Sequence, residues 1–141
     1  MMAWLQREIT LPPMTRGCHL ITSLIYEQLP EIAETEQGLL HLFLLHTSAS
    51  LMINENADPD VQKDLEMAIS HIVSEDLPYR HTAEGPDDMP AHVKTALVGH
   101  DLMIPVHRQQ LRLGTWQGIY LWEHRQKASK RRIMATLTRP S

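Results

Sequence analysis

The order of patterns along this chain predicts an α+β fold with a largely antiparallel sheet. Several stretches alternate apolar and polar residues with a period of two, and two stretches carry a helical repeat of apolar positions. These elements run strands, helix, strands, helix, strands. The 141 residues suit one domain, residues 1–141, with one core.

Residues 2–11 (MAWLQREITL) alternate and predict a half-buried strand, stopped by Pro12 and Pro13 because neither donates to a ladder. Residues 15–22 (TRGCHLIT) read as a second strand, paired with the first as an antiparallel hairpin or edge pair. A short helix runs from Ser23 to Leu29 and ends at Pro30. The acidic stretch EIAETEQG forms a loop. Residues 39–46 (LLHLFLLH) are almost continuously apolar, which predicts a strand covered on both faces. His41 and His46 are five positions apart and so face opposite sides; His41 reads as a buried histidine with a partner.

A strand-like segment spans Ser50 to Asn54. Asp58 then caps a helix with Pro59 at its first position, and Val61, Leu65, Ala68, Ile69 and Ile72 share one face. Residues 74–86 form a loop holding His81. Asp87 or Asp88 caps a second helix to about Val98, with Pro90 in the first turn and Gly99 at the end. Residues 101–106 make a strand, which Pro105 puts at an edge or an end. RQQLRLGTWQG is a loop or hairpin, and residues 118–125 and 131–138 alternate as strands.

Composition narrows the partners. A formal net charge of −4 does not advertise nucleic acid or an acidic membrane surface. No apolar run approaches the roughly 20 residues that span a bilayer, and MMAWLQREIT lacks the layout of a signal peptide. Cys18 is the one cysteine, which excludes a disulfide framework and suits a reducing cytoplasm; it reads as small core filling. Lys127, Lys130, Arg131 and Arg132 read as a solvated basic strand end.

Three histidines sit where apolar runs give way to polar residues: His46, His92 and His107. Neutral imidazoles from a strand end, a helix start and another strand end suit a catalytic zinc site with one position left for water. His92, near the positive end of a helix dipole, is kept neutral as ligation requires. No HExxH-type spacing is present, and the same positions also suit acid–base or phosphate-contacting residues without a metal. Three nitrogens favour zinc over magnesium.

An anion-binding set follows His46 directly in Thr47, Ser48 and Ser50, with Arg16, Lys94 and Arg125 as sources of positive charge. In GTWQG, the glycines let backbone approach a ligand at Thr115, and Trp116 can stack on a planar ring; the plain alternative is a turn with a half-packed tryptophan. Among carboxylates, Asp58 and Asp88 are occupied as caps, whereas Glu55 in NEN is free to serve as base or metal ligand. Glu123 shares a face with Ile119 and Leu121 and needs a partner, Arg16 or Arg125.

GLLHLFLLHTSASLMINENADPDVQKDLE, EGPDDMPAHVKTALVG and IPVHRQQLRLGTWQGIYLWEHR, with RGCHLIT near the start, closely resemble the YjbQ-like family of small bacterial and archaeal proteins. The similarity covers essentially the whole chain. It implies an α+β fold with an antiparallel β-sandwich-like core and two main helices, assembled as a homotrimer. It also implies a secondary thiamine-phosphate synthase activity, joining a pyrimidine methyl diphosphate to a thiazole ethyl phosphate with release of pyrophosphate. His46, Glu55 and Arg125 are then the candidate catalytic residues. Arg16, Thr47, Ser48, Ser50, Thr115 and Trp116 are the candidate substrate contacts, and His46, His92 and His107 the candidate ligands of a divalent metal. The competing expectations are a metal- or phosphometabolite-binding trimer without turnover and a metal-assisted hydrolase with Glu55 as base.

Overall fold

The computed structural model describes residues 1–141. In chain order it contains β1 (Met2–Leu11), β2 (Gly17–Leu20), α1 (Thr22–Gln28), a 3-10 turn (Pro30–Glu34), β3 (Gln37–Leu44), β4 (Ala49–Glu55), α2 (Pro59–Ile72), α3 (Asp88–Val98), β5 (Asp101–His107), β6 (Gln110–Leu111), β7 (Gln117–Glu123) and β8 (Arg131–Pro140). The class is α+β with antiparallel pairing throughout, and its three α-helices are the short one and the two main ones that the sequence predicts.

The strands form a five-stranded sheet, β1-β8-β3-β5-β6, and a three-stranded sheet, β2-β7-β4. One apolar cluster joins them. Ile9, Leu40, Leu42, Ile104, Ile133 and Leu137 of the larger sheet meet Leu51, Ile119 and Leu121 of the smaller one, and Ile25 and Leu29 from α1 close one end. Truncating such a residue to alanine costs about 2–5 kcal/mol. α3 lies over β4 and α2 over β2, and Thr95 of α3 donates to the Ala49 carbonyl at 3.1 Å.

β1 and β2 do not pair with each other. β1 runs antiparallel to β8 over its whole length, from Met2 opposite Pro140 to Leu11 opposite Arg131, while β2 pairs with β7. Pro12 and Pro13 interrupt the ladder, and Gly17, at φ +125°, turns the chain into the other sheet. β3 is covered on one face only: Leu40, Leu42 and Leu44 are buried, whereas Leu39 and Phe43 are exposed. On that outer face His41 is half-exposed, with Nε2 2.9 Å from Asp101 Oδ2.

The helix ends follow their local chemistry. The Asp58 carboxylate accepts from the Asp60 N–H at 2.9 Å, with Pro59 in the first turn of α2. Gly99, at φ +109°, ends α3. Arg108 and Gln109 both take positive φ and make the two-residue turn between β5 and β6, as a type I′ hairpin requires. Their N–H groups donate to Glu36 and Thr35 carbonyls at 2.7 and 3.0 Å, which locks that turn beside the start of β3.

Antiparallel pairing gives the molecule two poles. At one lie the end of β3, the start of β4, the end of β7 and the start of β8; at the other lie the start of β3 and the ends of β4 and β5. No helix is long and apolar enough to cross a membrane.

Candidate functional site

The start of α3 organises the first pole. Asp87 occupies the cap position, but its carboxylate turns away from the helix and accepts from Arg125 Nε at 3.1 Å and the Gln126 N–H at 2.9 Å. Asp88, 2% exposed, is no cap either. Its Oδ1 accepts from Arg125 Nη1 at 2.5 Å, and its Oδ2 lies 2.6 Å from His81 Nε2 and 3.2 Å from His92 Nε2. Burial by itself pushes the Asp88 carboxyl up. The His81 hydrogen bond and the charges of Arg125 and His92 outweigh it and hold the group below the ordinary carboxylate value. Asp87 is held down in the same way, against burial, by the Gln126 N–H and Arg125.

The donor set fits a divalent metal. His92 follows Asp88 by one helical turn, so both side chains share a face. The Thr47 carbonyl, 2.8 Å from His92 Nδ1, accepts the proton that Nδ1 carries and turns Nε2 toward Asp88. That nitrogen lies 3.2 Å from Asp88 Oδ2, a gap that either a proton on the ring or a bound cation bridges. His81 completes the group, and ligand atoms of the three residues lie within 4.8 Å of one another. Small side-chain rotations then suffice for bonds of about 2.0–2.2 Å to a common ion. The Thr47 carbonyl behind His92 and the Arg125 guanidinium behind Asp88 are the outer partners that orient metal ligands.

A cleft of about 820 Å³ opens beside this cluster. Phe43, Leu44 and Leu45 form one wall and Thr95 and Ala96 of α3 the other; His46, His92, His100 and Arg132 supply its polar groups. His46 Nε2 accepts the Arg132 backbone N–H at 2.8 Å. Burial first, then the charges of Arg131 and Arg132 against a weaker pull from Glu123, lower the His46 pKa. His46 is therefore a neutral N–H donor lining the cleft, with its acceptor nitrogen already engaged.

Behind the cleft, Glu123 and Arg131 are both buried and joined by two hydrogen bonds, Nε to Oε1 at 2.7 Å and Nη2 to Oε2 at 2.6 Å. The partner of Glu123 is thus Arg131; Arg125 gives it only a backbone N–H, at 3.0 Å. Arg131 is accordingly not part of a solvated basic end. The same guanidinium engages the Ser48 carbonyl and hydroxyl at 3.2 and 3.0 Å. Ser50 is fully buried with its Oγ 2.8 Å from His124 Nε2.

The three histidines singled out by sequence do not converge. His92 belongs to the metal cluster and His46 lines the cleft beside it. His107 is opposite Gln37 at the far end of β5. His46 is nine residues past Gln37 along the chain leaving β3, a separation of about 30 Å at strand rise. Glu55 also lies at the far pole, opposite Gln117, about 20 Å along β4 from Ala49. Its carboxylate accepts the Asp58 N–H at 3.2 Å, and its carbonyl accepts from Gln62 and Tyr120. Thr115 and Trp116 share that pole: Asn56 binds their carbonyls, and the indole is 64% exposed. Arg16 is held by Glu66 of α2 at 3.1 Å and by Glu75 of the following loop at 3.3 Å. Cys18 is half-buried, and burial with the nearby Glu66 charge pushes its thiol up to about 12, which removes it as a nucleophile.

His81 and Asp88 of the cluster, and His100 and Arg132 of the cleft, are the residues that sequence patterning did not single out for chemistry. The four-residue spacing of Asp88 and His92 on a helix was a readable signal for one of them; His81, in an irregular loop, offered none.

The chain is thus an α+β protein of two antiparallel sheets with a His–Asp–His cluster beside the start of a covering helix. The UPF0047 protein YjbQ-like family matches residues 7–140, and the chain belongs to that family. It is 51% identical to UPF0047 protein YjbQ of Salmonella typhimurium over 134 residues, 95% of this chain and 97% of the relative. UPF0047 protein YjbQ of Escherichia coli O157:H7 is 48% identical over the same shares. The crystal structure of an uncharacterized YjbQ/UPF0047 family protein from Clostridium acetobutylicum superposes with a TM-score of 0.82 at 32% identity, over 93% of this chain and 98% of the other. A YbjQ-like protein of unknown function from Sulfolobus solfataricus P2 reaches a TM-score of 0.87 at 21% identity, over 99% and 100% of the two chains, which speaks to the fold alone.

Proposed function

We propose that this chain is a metal-dependent enzyme acting on a phosphorylated small molecule in the cleft between the end of β3 and α3. The reaction we assign is the one its family likeness implies, thiamine-phosphate formation as a secondary activity. There the bond between the pyrimidine methylene and its diphosphate oxygen breaks, and the thiazole nitrogen bonds to the methylene carbon. Pyrophosphate leaves with the electron pair.

The observation that carries this reading is the meeting of His81, Asp88 and His92 at the edge of a cleft that also holds Arg132 and His46. A divalent ion on the cluster supplies neutralisation of charge on a departing diphosphate. Two imidazoles and one carboxylate favour zinc or another first-row ion over magnesium. The chain's own groups do the rest. Arg132 places positive charge in the cleft, and His46 offers a neutral N–H donor. Arg125 fixes Asp88, and the apolar walls from Phe43 to Leu45 receive the organic part of the substrate.

Hydrolysis with Glu55 as base loses its geometry within one copy, because Glu55 lies at the other pole. A binding role without turnover uses the same cluster. A thiamine-auxotrophic host separates the two: rescue by the wild-type chain and its loss with Asp88→Asn support the enzyme. Rescue that survives while bound metal disappears leaves a binding protein.

The same proposal makes the protein a cytoplasmic homotrimer with a sandwich core and no nucleic-acid partner. In support, the outer face of the larger sheet leaves Trp4 (71%), Leu39, Phe43 and Met103 exposed on neighbouring strands. Sedimentation of untagged protein tests it, a monomer at tens of micromolar being the adverse result.

A further inference from the structure

The last residue of β7 and the first of β8, Glu123 and Arg131, are charged yet withdrawn from water: Glu123 is fully buried and Arg131 is 4% exposed. Burying two such groups is costly, and an apolar pair of similar volume is often at least as stable. Stability therefore does not account for the pair, and the hydrogen bonds it makes beyond itself become informative.

Three branches leave it. In the first, Arg131 Nη2 donates to the Ser48 carbonyl at 3.2 Å and to its hydroxyl at 3.0 Å. The peptide just before Ser48 carries the Thr47 carbonyl, which lies 2.8 Å from His92 Nδ1 and orients that ring. The second branch runs through the backbone. Arg131 fixes the start of β8, and the N–H of the next residue, Arg132, donates to His46 Nε2 at 2.8 Å. A backbone N–H only donates, so His46 accepts at Nε2 and carries its proton on Nδ1. The Arg132 carbonyl accepts the Leu45 N–H at 3.0 Å, so the segment from Leu45 to Ser48 is gripped at both ends. The third branch leaves from Glu123. Its Oε2 accepts the Arg125 N–H at 3.0 Å, and the Arg125 guanidinium holds Asp87 Oδ2 at 3.1 Å and Asp88 Oδ1 at 2.5 Å.

We propose that Glu123 and Arg131 are positioning residues of the site: one buried ion pair sets the ring orientations of His46 and His92 and, through Arg125, the carboxylate of Asp88. The inference rests on the reading of His81, Asp88 and His92 as a metal cluster. Neither member of the pair lines the cleft, so both act through Ser48, Arg132 and Arg125. The planar guanidinium suits the task, because Nε and Nη2 engage both Glu123 oxygens while Nη2 still reaches Ser48. A lysine ammonium is a point charge that does not span these partners.

The double variant Glu123→Leu/Arg131→Met keeps the interior filled without charge and tests the proposal in the full-length chain. Zinc titration of the apo-protein and proton–nitrogen correlation spectra of its histidine rings are read together. The variant is expected to fold and to bind zinc about 10–100-fold more weakly than the wild type. The His46 ring is expected to lose its single Nδ1–H form for a mixture of tautomers, and the His92 signals to shift. Should the double variant fail to fold, Arg131→Lys gives the same changes, since it keeps the charge and loses the fork. Leu137→Ala, a core truncation farther along β8, lowers stability but leaves zinc affinity and both ring signals as in the wild type. The proposal is overturned by a zinc affinity within about threefold of the wild type in the double variant, by unmoved His46 and His92 signals, or by an equal loss of zinc in Leu137→Ala. A wild-type chain that binds no zinc overturns the metal reading instead, and the ring signals then decide the positioning role alone.

Discussion

The two poles of this molecule are built from the same residue types and use them differently. At the pole of His81, Asp88 and His92, charges are matched but lone pairs and N–H groups still face open space. At the pole of Glu55, Trp116 and His107, the groups around Glu55 and Trp116 are spent on local structure. Glu55 holds the entry to α2, Asn56 ties down the Thr115–Gln117 turn, and His107 sits beside a locked hairpin. A motif rich in functional residue types therefore reports chemistry only where its side chains are not already committed to capping or turns.

The contrast is broken most severely at the buried ion pair behind the cleft. Arg131→Met strands the Glu123 carboxylate in the interior and is expected to cost about 3–5 kcal/mol, read by urea denaturation. The double variant Glu123→Leu/Arg131→Met recovers most of that loss. Glu55→Gln at the other pole costs less than about 1 kcal/mol, because its carboxylate serves one exposed N–H.

Metal affinity sharpens the comparison next. Asp88→Asn is expected to weaken zinc by more than about 100-fold in a competition titration, and Arg125→Gln, which touches only the outer side of Asp88, by about 10–100-fold. His107→Ala leaves affinity unchanged. A three-histidine site with His46 and His107 would require the reverse.

Acid acts on the first pole through His124. Its folded pKa of about 3 lies below the ordinary 6.5. The unfolded chain therefore binds a proton that the folded chain refuses, and stability falls as pH drops from 6.5 toward 3. At pH 5 the loss is about 2 kcal/mol relative to pH 7. Denaturation midpoints at the two pH values measure it, and His124→Gln removes that pH dependence. The depressed Asp87 and Asp88 carboxylates add a further loss only as pH falls through 3.8 and below. The smallest effect is expected at Trp116: replacement by alanine changes stability within about 0.5 kcal/mol and leaves metal binding intact.

Elements were more legible than partners. The alternation in residues 2–11, the Asp58-Pro59 start of α2 and the Gly99 stop of α3 emerged at or within a residue of their expected places, because each depends on neighbours in the chain. The expected pairing of the first two strands failed, since a glycine turn sends the chain into the second sheet. The expected cap role of Asp88 failed too, because Arg125, distant in sequence, claims its carboxylate.

By itself, then, the sequence determined the α+β class, the local start and stop of each helix, and membership of the family. It also contained the Asp88–His92 pair, whose four-residue spacing on a helix is a local property. Only the tertiary structure decided which histidines meet. His46 and His107 both end apolar strands, but an antiparallel ladder reverses direction at every turn, so strand ends that look alike in sequence arrive at opposite poles. Long-range pairing makes that choice, and neither periodicity nor composition encodes it residue by residue.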